Sequence, residues 1–445
     1  MLRRLTAIFA SALAFAHFTG TRSLSDESDI PLQVDLSTPY QLEIDLLKET
    51  GDVPDSFLDA YATFHRIAGY IDSQYIHDAD WNGIASDMIH FLQSSSLFMT
   101  EQDSERISEL LTLPPSTLRY EGYASRFAEA LHIAYTSQGD NPLLDQRGFI
   151  ELASKRLVGN LDTHSRYLTP AESHRSDNIS GGSSIPLITK SLYEENVGYI
   201  KLRAFREGAD ETIDRIIRDL IEDGATSFIL DLRGNRGGLF SEAVAIADNF
   251  LDRGIIATQI DVDEALPDVY TALSPDVTGG MPLIVLVDER SASSSEVLMA
   301  ALKENGRATV IGERSRGKGV FQHIIPLHND DELRITGGYQ LTPSGQNVHR
   351  LGIEPDIIVP DAAPGIFDAL QGIDIDDGRQ LDNPLGLDEY HAVASNQCVR
   401  EGELNAVGFD SQRPAHHSDL VLMCALEQLT GQRHLTRIEA LEPAL

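Results

Sequence analysis

Pro282-Leu283-Ile284-Val285-Leu286-Val287, then Ser291-Ala292-Ser293-Ser294-Ser295-Glu296, then Val297-Leu298-Met299-Ala300-Ala301-Leu302 read as strand, turn and helix. The first run is continuously apolar and rich in branched residues, as a strand buried on both faces requires. The last run has the composition of a buried helix. A serine at a strand-to-helix turn has an exposed hydroxyl and neighbouring amides free to donate. Taken alone, the turn reads better as a Ser-rich helix cap.

Two further motifs change that balance. Downstream, Gly317-Lys318-Gly319 leads into the strand Val320-Phe321-Gln322-His323-Ile324-Ile325. A lysine between glycines can be approached closely by other backbone and partly desolvated. Desolvation lowers the pKa of an amine and lets it act as a base. Upstream, Asp231-Leu232-Arg233-Gly234-Asn235-Arg236-Gly237-Gly238-Leu239 follows the strand Ser227-Phe228-Ile229-Leu230. It contains neither GxGxxG nor GxxxxGK[ST], so a phosphate-binding reading is weak. Beside the other two motifs it reads as a loop offering backbone N–H groups to an oxyanion.

In these three motifs the chain resembles the carboxy-terminal processing peptidases, or tail-specific proteases, and the resemblance runs from about Val197 to Pro360. Val197-Gly198-Tyr199-Ile200 is similar to the family's first core strand. Asp231 to Leu239 is similar to D-L-R-x-N-x-G-G-L, and Ser291 to Glu296 to S-A-S-A-S-E. Gly312-Glu313, Gly317-Lys318-Gly319 and Gln322 are similar to the G-E…G-K-G…Q segment. Thr342-Pro343-Ser344-Gly345 and Gly352-Ile353-Glu354-Pro355-Asp356 resemble the closing motifs. The resemblance implies an α/β core like the crotonase and Clp-protease spiral, with an N-terminal helical domain and a C-terminal helical cap.

The resemblance also implies roles. The family's serine falls on Ser293, its lysine on Lys318 and its glutamine on Gln322. Ser293 would attack a peptide carbonyl, Lys318 would take its proton and Gln322 would orient the amine. Four extended residues span about 13 Å, so the Lys318 and Gln322 side chains must lean together or the chain must bend after Gly319. Ser294 stands where the family usually has alanine, and its amide, with that of Gly237 or Gly238, would hold the oxyanion. Between the two glycines the sequence does not decide. Glu304 replaces an aspartate of some relatives and reads as a helix-surface salt-bridge residue. His164, His323 and His349 invite a Ser-His reading, but none has a spaced acid partner, and on an alternating strand His323 faces away from Lys318.

The chain has 445 residues, 35 Lys+Arg and 69 Asp+Glu, for a net charge of −34. That charge argues against nucleic acid and anionic membrane surfaces as partners. Arg3 and Arg4 precede an apolar stretch from Leu5 to Phe18, with Ala14-Phe15-Ala16 as a small-x-small cleavage site. This reads as an export signal too short to span a bilayer, and places the mature protein in the periplasm or outside the cell. In an oxidising compartment Cys398 and Cys424 are expected to pair. They flank His416 and His417, but neither cysteine has a close partner at ligand spacing, so zinc is not expected there; no metal or cofactor is expected.

The expected organisation is a signal peptide over 1–16, a flexible segment over 17–37 and a helical domain over 38–178. A protease core over 179–360 follows, then a loop and helix region over 361–445. Strands are expected near 197–203, 226–231, 255–262, 282–287, 308–312, 319–326 and 332–341, and helices near 209–223, 239–252 and 294–305, with a last helix over Asp419 to Leu429. Tyr61, Phe64, Ile67, Ala68 and Ile71 recur at helical spacing, as do Ile84, Met88, Phe91 and Leu92. Residues near 94–141 read as an extra helical insert, a place for an adaptor protein or a second protomer, or an enlargement of the helical core. Leu161-Asp162-Thr163-His164-Ser165-Arg166-Tyr167-Leu168 resembles the motif that precedes a PDZ domain in most of the family. Here sixteen residues separate Gly181 from Gly198, too few for that domain.

The sequence therefore points to an exported Ser-Lys endopeptidase acting on protein or peptide substrates. The alternative is a non-catalytic peptide-binding or scaffold protein that keeps the fold. A crotonase-like acyl-CoA enzyme is a weaker third reading, because that class needs no paired serine and lysine.

Overall fold

Alternation of apolar strands with amphipathic helices is what a covered parallel sheet demands, and a computed structural model of the protein has that arrangement. It describes residues 55–95, 99–112, 120–139, 144–178, 186–193, 196–262, 266–327, 330–359 and 419–431. The expected signal and flexible segments, the Gly181–Ser184 link and the 360–418 stretch lie outside the described residues.

The described residues form two compact units. One holds those up to Ser73, Asp78–Asp162 and Pro326–Leu333. Its helices are α1 (Asp55–Gln74), α2 (Trp81–Ser94), α3 (Glu101–Leu111), α4 (Tyr120–Thr136) and α5 (Gln146–Gly159). The residues at helical spacing are its core: Tyr61, Phe64, Ile67, Ala68, Ile71, Ile84, Met88 and Leu92 are buried. Phe91 is half-buried and stacks on Phe149. Starts are fixed by side chains that accept from the first-turn amides: Asp80 from Gly83, Thr100 from Asp103 and Asp145 from Gly148. Within the 94–141 stretch, Ile107, Leu110, Phe127 and Leu131 are buried, and the Phe127 ring meets Phe64.

The other unit holds Gln74–His77, Thr163–Ile325 and the described residues from Arg334. Its elements run β1 (Arg166–Leu168), α6 (Pro170–Asn178), β2 (Ile188–Tyr193), β3 (Val197–Leu202), α7 (Ala209–Glu222), β4 (Ser227–Asp231), α8 (Phe240–Phe250), β5 (Ile255–Asp261) and β6 (Asp268–Thr271). They continue with β7 (Leu283–Val287), α9 (Ser294–Glu304), β8 (Thr309–Gly312), β9 (Val320–Pro326), β10 (Glu332–Leu341), β11 (Ile357–Ile358) and α10 (Leu420–Thr430).

Six strands make one sheet in the order β11-β8-β7-β4-β3-β2, parallel except for β2 against β3. β4 and β7 are buried at every residue because both faces are covered. Phe228, Leu230, Leu283, Val285 and Val287 pack with α7, α8 and α9. Ile229, Ile284 and Leu286 pack on the opposite side with Val421, Leu422, Ala425 and Leu426 of α10, the C-terminal helical cap. Each fully buried aliphatic or aromatic side chain contributes roughly 1.5–3 kcal/mol. Gly198 is fixed by this packing, since a Cβ there would lie 2.8 Å from the Phe228 ring. A second sheet runs β1-β10-β5-β6, with β9 also paired to β10. No helix among the described residues is long and apolar enough to cross a membrane.

Candidate active site

The buried strand β7 ends at a turn whose geometry is set by side chains. Ser291 Oγ donates to the Leu232 carbonyl at 2.9 Å, and Ala292 N and Ser295 Oγ both donate to the Asn235 carbonyl. The turn delivers Ser293 to the start of α9 with φ 57° and ψ −119°. A positive φ at a non-glycine residue costs about 1–3 kcal/mol and persists only where its surroundings impose it. The neighbouring Ser294 amide makes no hydrogen bond among the described residues.

The Asp231–Leu239 loop lies against this turn. A Cβ on Gly237 would meet Ala292 O and Ser293 Cβ at 2.9 Å, and one on Gly238 would meet Phe205 O at 2.1 Å. Both positions require glycine for close approach. The amides differ: Gly237 N donates to Asn235 Oδ1 at 2.9 Å, whereas Gly238 N donates to nothing among the described residues. Gly238 is therefore the glycine with a donor to offer. The Ser294 hydroxyl, absent where the family carries alanine, donates to Gly238 O at 2.9 Å. At the loop's start, Asp231 accepts from Tyr199, Lys201 and Arg233. Burial pushes its carboxyl up, but Arg233 and Lys201 outweigh that and hold it at about 2.

Lys318 lies in the loop before β9, where close neighbours leave no room for side chains. A Cβ on Gly317 would be 2.6 Å from Gly352 N, and one on Gly319 2.8 Å from His349 N. Lys318 Nζ donates to Gln322 Oε1 at 3.0 Å. Lys318 precedes β9, which begins at Val320, and its side chain meets that of Gln322. Burial, then the nearby cations Arg334, Arg166 and Arg316, hold the amine below its ordinary value, against the pull of Glu296.

Glu296 unites the two halves. Its Oε2 accepts from Ser293 N and Lys318 N, and its Oε1 from Ser315 Oγ and Gly317 N. Burial pushes its carboxyl above the usual range, against these donors. Ser293 and Lys318 line one cleft with Val297, Ala300, Leu341 and Val348. No hydrogen bond joins Ser293 Oγ to Lys318 Nζ among the described residues.

Residues 196–359 match Peptidase family S41. This segment is similar to the S41 peptidases. Similar proteins include the carboxy-terminal-processing protease of Bartonella bacilliformis, 37% identical over 179 residues, 39% of this chain and 41% of that one. The carboxyl-terminal-processing protease of Picosynechococcus is 36% identical over 182 residues, 41% of this chain and 43% of that one. Carboxy-terminal processing protease CtpA of Bacillus subtilis is 31% identical over 176 residues, 39% and 38% of the two chains. The match thus spans about two fifths of these relatives' length. Among solved structures, the photosystem II D1 C-terminal processing protease is similar at 18% identity and a TM-score of 0.42, over 64% of this chain and 94% of that one. Ser293, Lys318, Gln322, Gly237, Gly238 and Ser294 all fall inside the S41 segment, whereas the helical unit's α1–α5 and the final helix α10 fall outside it.

The remaining expectations divide. His323 does have an acid partner, Asp261 Oδ1 at 3.2 Å, which the sequence reading missed. That pair bridges β9 and β5, and neither residue is among those lining the cleft. His164 meets the His349 ring at 5.5 Å. Glu304 accepts from Ser344 N at 2.7 Å, closing the Thr342–Gly345 turn in place of the expected surface ion pair. Cys424 is buried on α10, and its expected partner Cys398 lies outside the described residues.

Proposed function

We propose that the protein is an exported serine endopeptidase that hydrolyses peptide bonds of protein substrates through an acyl-enzyme on Ser293, with Lys318 as general base. Ser293 Oγ attacks the peptide carbonyl carbon while the neutral Lys318 amine takes the hydroxyl proton. The tetrahedral intermediate collapses as the Lys318 ammonium gives that proton to the leaving nitrogen. Water then attacks the ester, Lys318 takes its proton, and the proton returns to Ser293 Oγ. Gln322 orients the amine through Oε1. The oxyanion sits between the amides of Ser294 and Gly238, the pair left unspent by internal hydrogen bonds.

The observation that carries this reading is a desolvated lysine facing the same cleft as a strained serine at a helix start. One observation favours the alternative, a peptide-binding protein that keeps the fold: Ser293 and Lys318 are not hydrogen-bonded to each other. Catalytic hydrogen bonds often tighten only with substrate bound. Hydrolysis of an unfolded protein decides between the two. The peptidase reading requires cleavage by the unaltered chain and none by Ser293→Ala or Lys318→Ala, each still folded. Binding without cleavage would support the alternative. Export rests on the Arg3–Phe18 segment, and recovery of the protein only in the cytoplasm with Met1–Ala16 still attached would contradict it.

A further inference from the structure

The loop carrying Gly238 is tied to a residue far along the chain and outside the S41 segment. Arg233 Nη1 donates to Asp419 Oδ1 at 2.6 Å and Nη2 to Asp419 Oδ2 at 2.8 Å, a two-pronged pair. The same guanidinium reaches Asp231 through Nε and Nη2, and the Arg233 amide donates to Asp231 Oδ1. Lys201 Nζ donates to Asp231 Oδ1 and to the Arg233 carbonyl. Asp419 Oδ1 also accepts from Leu422 N, which starts α10. One carboxylate therefore begins the C-terminal helix and grips the first turn of the oxyanion loop.

We propose that Asp419 is a positioning residue for the proposed active site: docking of α10 holds the Arg233–Gly238 loop in the geometry that presents the Gly238 amide. The inference rests on the oxyanion role of that amide. Its physical basis is charge balance in a place nearly closed to water. Asp231 and Asp419 face Lys201 and Arg233, and Arg233 is 11% exposed. Without the Asp419 charge, Arg233 keeps only its share of Asp231, which Lys201 also holds, and a poorly hydrated guanidinium must seek a new partner. The Arg233 backbone moves with it. That backbone leads directly to Gly234, whose amide donates to Asp288, and to Asn235, which occupies the Gly237 amide.

The apolar side of α10 makes the coupling more than a surface tether. Val421, Leu422, Ala425 and Leu426 pack with Ile311 of β8 and with Ile229, Ile284 and Leu286 of β4 and β7, the strands that end at the loop and the nucleophile turn. The helix is thus seated on the same sheet that positions Ser293.

Asp419→Asn in the full chain tests this, because asparagine keeps the helix-capping oxygen but loses the charge and the second oxygen that accepts from Arg233 Nη2. The proposal expects kcat to fall about tenfold with KM changed by less than about twofold, the range reached by couplings through a packed network. It also expects faster amide hydrogen exchange over Gly234–Gly238 with unchanged exchange in α10. Arg233→Gln should give the same losses, and the double variant no more than either alone. Native exchange in the loop of Asp419→Asn would overturn the proposal, as would faster exchange in α10 alone. If the unaltered protein cleaves nothing, the peptidase reading fails by itself, and the exchange measurement still decides this inference.

Discussion

Ser293 and Lys318 donate their backbone amides to the same atom, Glu296 Oε2, each at 2.8 Å. The turn that strains the serine and the loop that desolvates the lysine are thereby built on one buried carboxylate. The relative placement of the two groups depends on Glu296 more directly than on any contact between them.

Glu296→Gln removes one of the two accepting oxygens and leaves buried donors facing an NH2 group. The variant should lose about 2–4 kcal/mol of stability, since each orphaned buried donor costs about 1–3 kcal/mol. Denaturant unfolding measures this. The Glu296 charge also holds the Lys318 amine up, so the rising limb of the pH–rate profile should move to lower pH. Native stability with an unmoved limb would show that the carboxylate anchors nothing.

The lowered pKa of Lys318 fixes two signs. Only the neutral amine accepts a proton, so cleavage should rise as pH increases through that lowered value, and Lys318→Arg should be inactive because guanidinium keeps its proton. In the window between the lowered value and the ordinary lysine value, the unfolded chain binds a proton that the folded chain does not. Stability should therefore rise with pH there. Lys318→Met should abolish that slope and be the more stable protein at neutral pH. A slope retained in the methionine variant would assign it to another group.

Ser294→Ala restores the residue usual in the family and keeps the backbone amide, but it deletes the hydrogen bond from Ser294 Oγ to Gly238 O. A single hydrogen bond of this kind contributes about 1 kcal/mol. Steady-state kinetics should show a kcat lowered by roughly fivefold if that magnitude is felt in the transition state, with the thermal midpoint lowered by only about 2–4 °C. An unaltered kcat would mean that the clamp is irrelevant to the oxyanion site.

Cys424 sits in the packed face of α10. Pairing with Cys398 would close a loop worth roughly 3–4 kcal/mol in the chain-entropy model. Protein purified without reductant should take up no alkylating agent until it is unfolded and reduced. Uptake of two equivalents on unfolding alone would disprove the bond.

The sequence made the sheet legible where burial is two-sided. Leu283–Val287 reads as a strand because every residue faces packed helices. β6 did not declare itself, because Asp268–Thr271 is an exposed edge whose side chains carry no burial pattern. Ser293, Lys318 and Gln322 were marked by their motifs. That the Gly237 amide is occupied and the Gly238 amide is not was beyond the sequence, since it depends on where the Asn235 side chain turns. The Arg233–Asp419 pair was likewise invisible, because only the fold brings those two positions together. Glu296 stood in a quoted motif, but its role needed the Lys318 loop folded against it.

The central claim is that Lys318 activates Ser293, and intact-protein mass spectrometry after exposure to a fluorophosphonate tests it most directly. The account predicts one adduct, mapped to Ser293, forming faster as pH rises, and absent in both Ser293→Ala and Lys318→Arg. Labelling of Ser293 at an undiminished rate in Lys318→Arg, or an adduct on a different serine, would contradict it.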